Sequence, residues 1–167
     1  MRTLSRINRR ELFGIVSTVG FLAACSRPPA RQRWPHQMGD NVRCGWFSFT
    51  VLEVEYKSQL GEGALAKRPR DLFIAIRVQA TSAAGKPVSI PFLRLQTENE
   101  NWIPEVEDGT GLDNWFGLFR TVEPGATETG WLLFDAPAGS YGLMLSDGAM
   151  DAEQTALVRI PLQVSTG

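Results

Sequence analysis

From residue 40 onward, apolar residues return at every second position and no stretch keeps a helical period, so the chain predicts strands. Residues 71–81, DLFIAIRVQAT, show this most cleanly. Leu72, Ile74, Ile76, Val78 and Ala80 share one face, and Arg77, Gln79 and Thr81 share the other. Phe73 and Ala75 make the first half apolar on both faces, which predicts a central strand. In residues 46–57, Phe47, Phe49 and Val51 share a face, after which the apolar parity changes to Leu52, Val54 and Tyr56. Such a switch predicts a β-bulge near Val51–Leu52 or a strand passing between sheets.

The remaining alternating segments are 42–45, 88–98, 102–106, 130–137, 141–146 and 156–164. Pro91 removes a ladder donor inside 88–98, which predicts a sheet edge or a kink there. Gly85 and Pro87, Asn99–Asn101 and Pro124-Gly125 mark turns, and 107–119 reads as an irregular loop. Seven or eight short strands joined by turns predict an all-β fold, an antiparallel β-sandwich in which each sheet buries one face.

The N-terminus follows a different pattern. Arg2, Arg6, Arg9 and Arg10 precede Leu12–Ala24, 13 residues whose polar members are Ser17 and Thr18. A positive region followed by an apolar run of this length predicts a signal peptide over 1–24. The run falls short of the roughly 20 residues of a membrane-spanning helix. Leu22-Ala23-Ala24-Cys25 resembles the lipobox of bacterial lipoproteins, which implies cleavage before Cys25 and lipidation of that residue. Ordinary cleavage after Ala24 is the alternative, but Leu22 is too large for it. Arg9-Arg10-Glu11-Leu12-Phe13 also resembles a twin-arginine export signal. Residues 25–38, with Pro28, Pro29 and Pro35, then read as a lipidated tether, and 39–167 as the β-sandwich.

Charge narrows the function classes. The formal net charge of −1 divides into +3 over residues 1–24 (four arginines against Glu11) and −4 over the rest (13 basic, 17 acidic). A mildly acidic body lacks the footprint of a nucleic-acid binder. With Cys25 lipidated, Cys44 has no disulfide partner and reads as a buried small hydrophobe or a free thiol.

The run from Gly39 to Gln163 resembles an immunoglobulin-like (telokin-like) domain of unknown function common in bacterial lipoproteins, whose relatives include an immunoprotective extracellular antigen. The matching stretches are MGDNVRCGWFSFTVLEVEY, DLFIAIRVQAT, KPVSIPFLRLQTENENW and VEPGATETGWLLFDAP. TSAAG, where the family often has an asparagine-containing turn, and the Trp-rich loop at 102–119 depart from it. The resemblance implies an immunoglobulin-like sandwich in the bacterial envelope and points to no known activity.

Candidate chemistry is thin. The one histidine, His36, falls in the expected tether, so neither a Ser-His-Asp triad nor a Cys-His pair can be drawn. One histidine and one free cysteine cannot build a zinc site. Glu105, Glu107, Asp108 and Asp113 are weak calcium candidates, because their spacing does not match an EF-hand loop. Trp102, Trp115, Phe116 and Phe119 fall in or beside one loop region. They either fill a satellite core or form an exposed patch for a protein partner. The expected protein is thus a non-enzymatic lipoprotein without a cofactor, held at the membrane by its lipid and serving as an interaction module. A small-molecule or calcium-binding lipoprotein is the alternative.

Overall fold

The computed structural model describes residues 33–162; the expected signal peptide, Arg9, Arg10 and Cys25 lie outside the described residues. Two sheets, antiparallel except at one edge pair of the second, face each other across one core. The first has four strands in the order β2 (Asn41–Cys44), β3 (Phe47–Lys57), β4 (Phe73–Ser82), β9 (Thr127–Asp135). The second has five in the order β1 (His36–Gln37), β11 (Thr155–Ile160), β10 (Tyr141–Ser146), β6 (Arg94–Gln96), β7 (Trp102–Pro104). A two-stranded ribbon joins β5 (Val88–Ser89) to β8 (Thr121–Val122). Eight of these strands have three or more residues, the number the alternation predicts, and β1, β5 and β8 are two-residue additions.

The alternating positions meet in the interior. Phe47, Phe49, Ile74, Ile76, Leu95, Leu132, Phe134, Leu143, Leu145, Val158 and Ile160 belong to one fully or nearly fully buried cluster. The double-sided apolar half of β4 is explained as well. Ile74 and Ile76 face this core, whereas Phe73 and Ala75 face outward into a smaller cluster with Leu60 and Leu133, to which Val106, Leu112 and Trp131 add cover. The strand is central, between β3 and β9. The expected bulge is present: the β3–β4 register shifts between Val51 and Glu53, leaving Leu52 unpaired and exposed.

Reading β3, β4, β6, β9, β10 and β11 as strands A, B, C, E, F and G gives the neighbour orders A-B-E and C-F-G of an immunoglobulin-like sandwich. Tyr141 at the start of β10 donates its hydroxyl to the Pro137 carbonyl, the tyrosine corner of such folds.

Two expectations need correction. The tether does not extend to residue 38. Trp34 is buried, its indole lies against Gly142 of β10, and its Nε1–H donates to Gln96 Oε1 at 3.2 Å. His36 and Gln37 pair in parallel with Val158 and Arg159 of β11, so His36 is held in a strand. Residues 88–98 are also not one strand. Pro91 separates β5 from β6, and the chain passes from the ribbon to the five-stranded sheet at that point.

Candidate functional site

Glu105 and Arg120 anchor the two ends of the irregular loop to each other and to the sandwich. Both side chains are buried (0% and 1% exposed), and they form a two-pronged ion pair, with Arg120 Nη1 to Glu105 Oε2 at 3.0 Å and Nη2 to Oε1. Glu105 Oε2 also accepts the Leu93 backbone N–H at 3.2 Å. Arg120 donates through Nε to the Gly117 carbonyl at 2.7 Å and through Nη1 to the Pro91 carbonyl at 3.4 Å. The Phe92 ring covers the guanidinium, 4.6 Å from its carbon, and the Phe116 ring lies 6.0 Å away. Burial pushes the Glu105 carboxyl above the ordinary carboxylate range, opposed by the hydrogen bonds and charge of Arg120 and by the Leu93 N–H.

Above this base the chain turns outward. Gly117, at φ +72°, begins a turn that the Arg120 Nε bond closes three residues later. Leu118 and Phe119 occupy its tip, 51% and 95% exposed, and Phe92 beside the guanidinium is 45% exposed. A pair of apolar side chains is therefore presented to solvent from a backbone held by a buried ion pair. Phe119 lines a small cleft of about 110 Å³ with Phe116, Arg120, Thr121, Val122 and Glu128.

That cleft borders β9, the edge of the four-stranded sheet. The loop covers part of this edge: Val106 N–H donates to Leu133 O at 2.7 Å, Phe116 N–H to Trp131 O at 3.1 Å, and Trp131 N–H to Asn114 O at 2.9 Å. Gly130 leaves room for Phe116, whose ring would lie 2.8 Å from a Cβ there. Thr127, Glu128 and Thr129 are exposed.

The four aromatic candidates do not form one patch. Trp102 is on β7 opposite Gln96 and stacks under the Arg94 guanidinium at 5.3 Å, apart from the loop tip. Trp115 and Phe116 are partly buried, the first stacked on Gly109 and the second on Gly130, so they belong to the cover of β9. Trp102 and Phe119 are both exposed, 42% and 95%, but only Phe119 stands at the loop tip. Leu118, Phe92 and Arg120 were missed. The available signal was an arginine inside the apolar run FGLFRTV, with Glu105 the charged residue in IPEV.

Nor are the four calcium candidates brought together. Glu105 is neutralised by Arg120, and Asp108 pairs with Lys67 at 2.5 Å, a contact that, with Thr110, holds its carboxyl far below the usual range. Glu107 and Asp113 are exposed, and among the described residues no three His, Cys, Asp or Glu side chains are grouped to hold a metal. Cys44 is a buried free thiol, pushed up to about 11 by desolvation and the nearby Asp147 charge.

Comparison with solved structures supports the fold. The yjhA protein of Bacillus subtilis superposes with a TM-score of 0.54 at 20% identity, over 74% of this chain and 98% of that one. A candidate lipoprotein of Bacillus subtilis, ycdA, gives 0.56 at 11% identity over 71% of this chain; the match spans 37% of that chain, a little over a third of its length. A functionally unknown protein of Listeria monocytogenes gives 0.53 at 10% identity, over 73% and 81% of the two chains. None of the three is described with an activity. No protein-family model and no curated protein matches the chain. At these identities the likeness is one of fold, and fold alone assigns no function.

Proposed function

We propose that this chain is a non-enzymatic, lipid-anchored module of the bacterial cell envelope, of the immunoglobulin-like lipoprotein kind, that binds a protein partner through the Leu118–Phe119 tip. The observation that carries the reading is the contrast between neighbours: Phe119 is 95% exposed, while the Arg120 side chain beside it is 1% exposed and ion-paired. An apolar residue on a flexible backbone would lose on binding part of what its burial gains. A tip already fixed keeps most of the ~2 kcal/mol that burying a phenylalanine supplies. The lipobox at Leu22–Cys25 and the apolar run before it support the anchor.

Two measurements test the two parts. Cys25→Ala moves the protein from the membrane to the soluble fraction if Cys25 carries the lipid; retention in the membrane contradicts the anchor. For the tip, crosslinked complexes are captured from native envelopes with wild type and with Leu118→Ser/Phe119→Ser. A discrete partner held by wild type and lost by a variant melting within a few degrees of it is the expected result. The same partners from both proteins would refute the tip.

A further inference from the structure

We propose that the open end of the β9 edge, residues 127–129, receives an extended segment of the partner as an added strand, in which a large apolar side chain and a lysine or arginine stand two positions apart. This deepens the proposed function and rests on the reading that the Leu118–Phe119 tip receives a protein. At Trp131 both edge-facing backbone groups are used, the N–H by Asn114 and the carbonyl by Phe116. Strand alternation then turns the N–H and C=O of Thr129 and Thr127 out of the same edge. Neither residue's backbone bonds the loop, because the chain reaches Trp131 only at Asn114, after Leu112 has packed on the outer cluster with Trp131. Among the described residues, four backbone groups without a partner therefore stand in a row beside the exposed tip, the arrangement that accepts an added strand.

The side chains define what fits. On β9, Glu128 shares the inward parity of Gly130, Leu132 and Phe134, and it faces Phe119 across the 110 Å³ cleft. Among the described residues Glu128 has no ion-pair partner, and Glu123 at the preceding turn is a second exposed carboxylate. A strand laid here points alternate side chains into the cleft, one to cover Phe119 and the next to meet Glu128. A second copy of this chain is disfavoured at this edge. Antiparallel pairing centred on Glu128 sets carboxylate against carboxylate.

The test is an amide-resolved titration of the full chain with a capped heptapeptide of threonines carrying phenylalanine at its third and lysine at its fifth position. The control peptide has glutamate for the lysine. The expected result is shifted and slowed amides at Thr127 and Thr129, with at least tenfold weaker binding of the control peptide. Thr129→Pro removes an N–H that faces away from β4, so the fold tolerates it while peptide binding is lost. Glu128→Lys inverts the peptide preference and carries the test should the proline variant fail to fold. Wild-type binding by a folded Thr129→Pro overturns the added strand, as do shifts confined to Leu118 and Phe119. The latter result leaves the tip as the contact. An absence of shifts at Thr127 and Thr129 with either peptide also overturns the added strand, and the tip is then judged by partner capture alone.

Discussion

Glu105 and Arg120 are the residues on which the site depends, and their chemistry sets the cost of changing them. Arg120→Ala leaves a carboxylate at 0% exposure without its counter-ion, and the expected loss is about 3–5 kcal/mol in urea unfolding. Arg120→Met combined with Glu105→Leu removes both charges and should recover most of that loss, because an apolar pair carries no desolvation penalty. The sign of the pH dependence follows. Without Arg120, burial raises the Glu105 carboxyl further above its ordinary value of 4.5, so the folded state holds the proton longer. The Arg120→Ala variant therefore loses stability as pH rises through that value. A melting curve flat in pH across the acid range would refute this account of the pair. Cys44 follows the same sign at the other end of the scale. Its folded value of about 11 lies above the 9.0 of a free thiol, so alkylation at pH 8.5 is slow until the protein unfolds. Between 9 and 11 the unfolded thiol ionises first and stability declines. Rapid alkylation of the folded protein at pH 8.5 would contradict the burial.

At the scale of elements, strands whose alternation is uninterrupted were legible in the sequence. β4 is central because Phe73 and Ala75 are apolar on its second face, and that face is covered by the loop and Leu60. The bulge at Leu52 was legible because one extra residue reverses the pleat, which no side-chain choice can hide. β1 and β8 were not legible, since two residues give no period to read, and β5 was read as continuous with β6. The loop was half legible. Its aromatic content marked it, but the sequence could not separate Trp115 and Phe116, which pack on Gly109 and Gly130, from Phe119, which packs on little. That division depends on backbone pairing with β9, a contact across residues 114 to 131. Glu105 was misread for the same reason. A carboxylate among others looks like a cation ligand until its arginine, 15 residues away, is found beside it.

For the whole molecule, the sandwich begins earlier than the proline-rich sequence implied. Trp34 and β1 close the outer side of the five-stranded sheet, with Gly142 supplying the space for the indole. A chain starting at residue 39 should therefore lose several kcal/mol relative to one starting at residue 33, as the removal of a buried tryptophan commonly costs. Equal unfolding midpoints for the two would show that the N-terminal strand adds nothing. Under the proposed anchor at Cys25, the same placement limits the leash to the residues before Arg33. The central claim is that a fixed apolar tip on this domain meets a protein. Site-specific photocrosslinking in intact cells tests it most directly, with the reactive residue placed at Phe119 or, as a control, at Leu65, which is 93% exposed on a turn with no buried residue. The account predicts a discrete protein adduct from position 119 and none from position 65. Matching adducts from both positions, or none from 119, would contradict it.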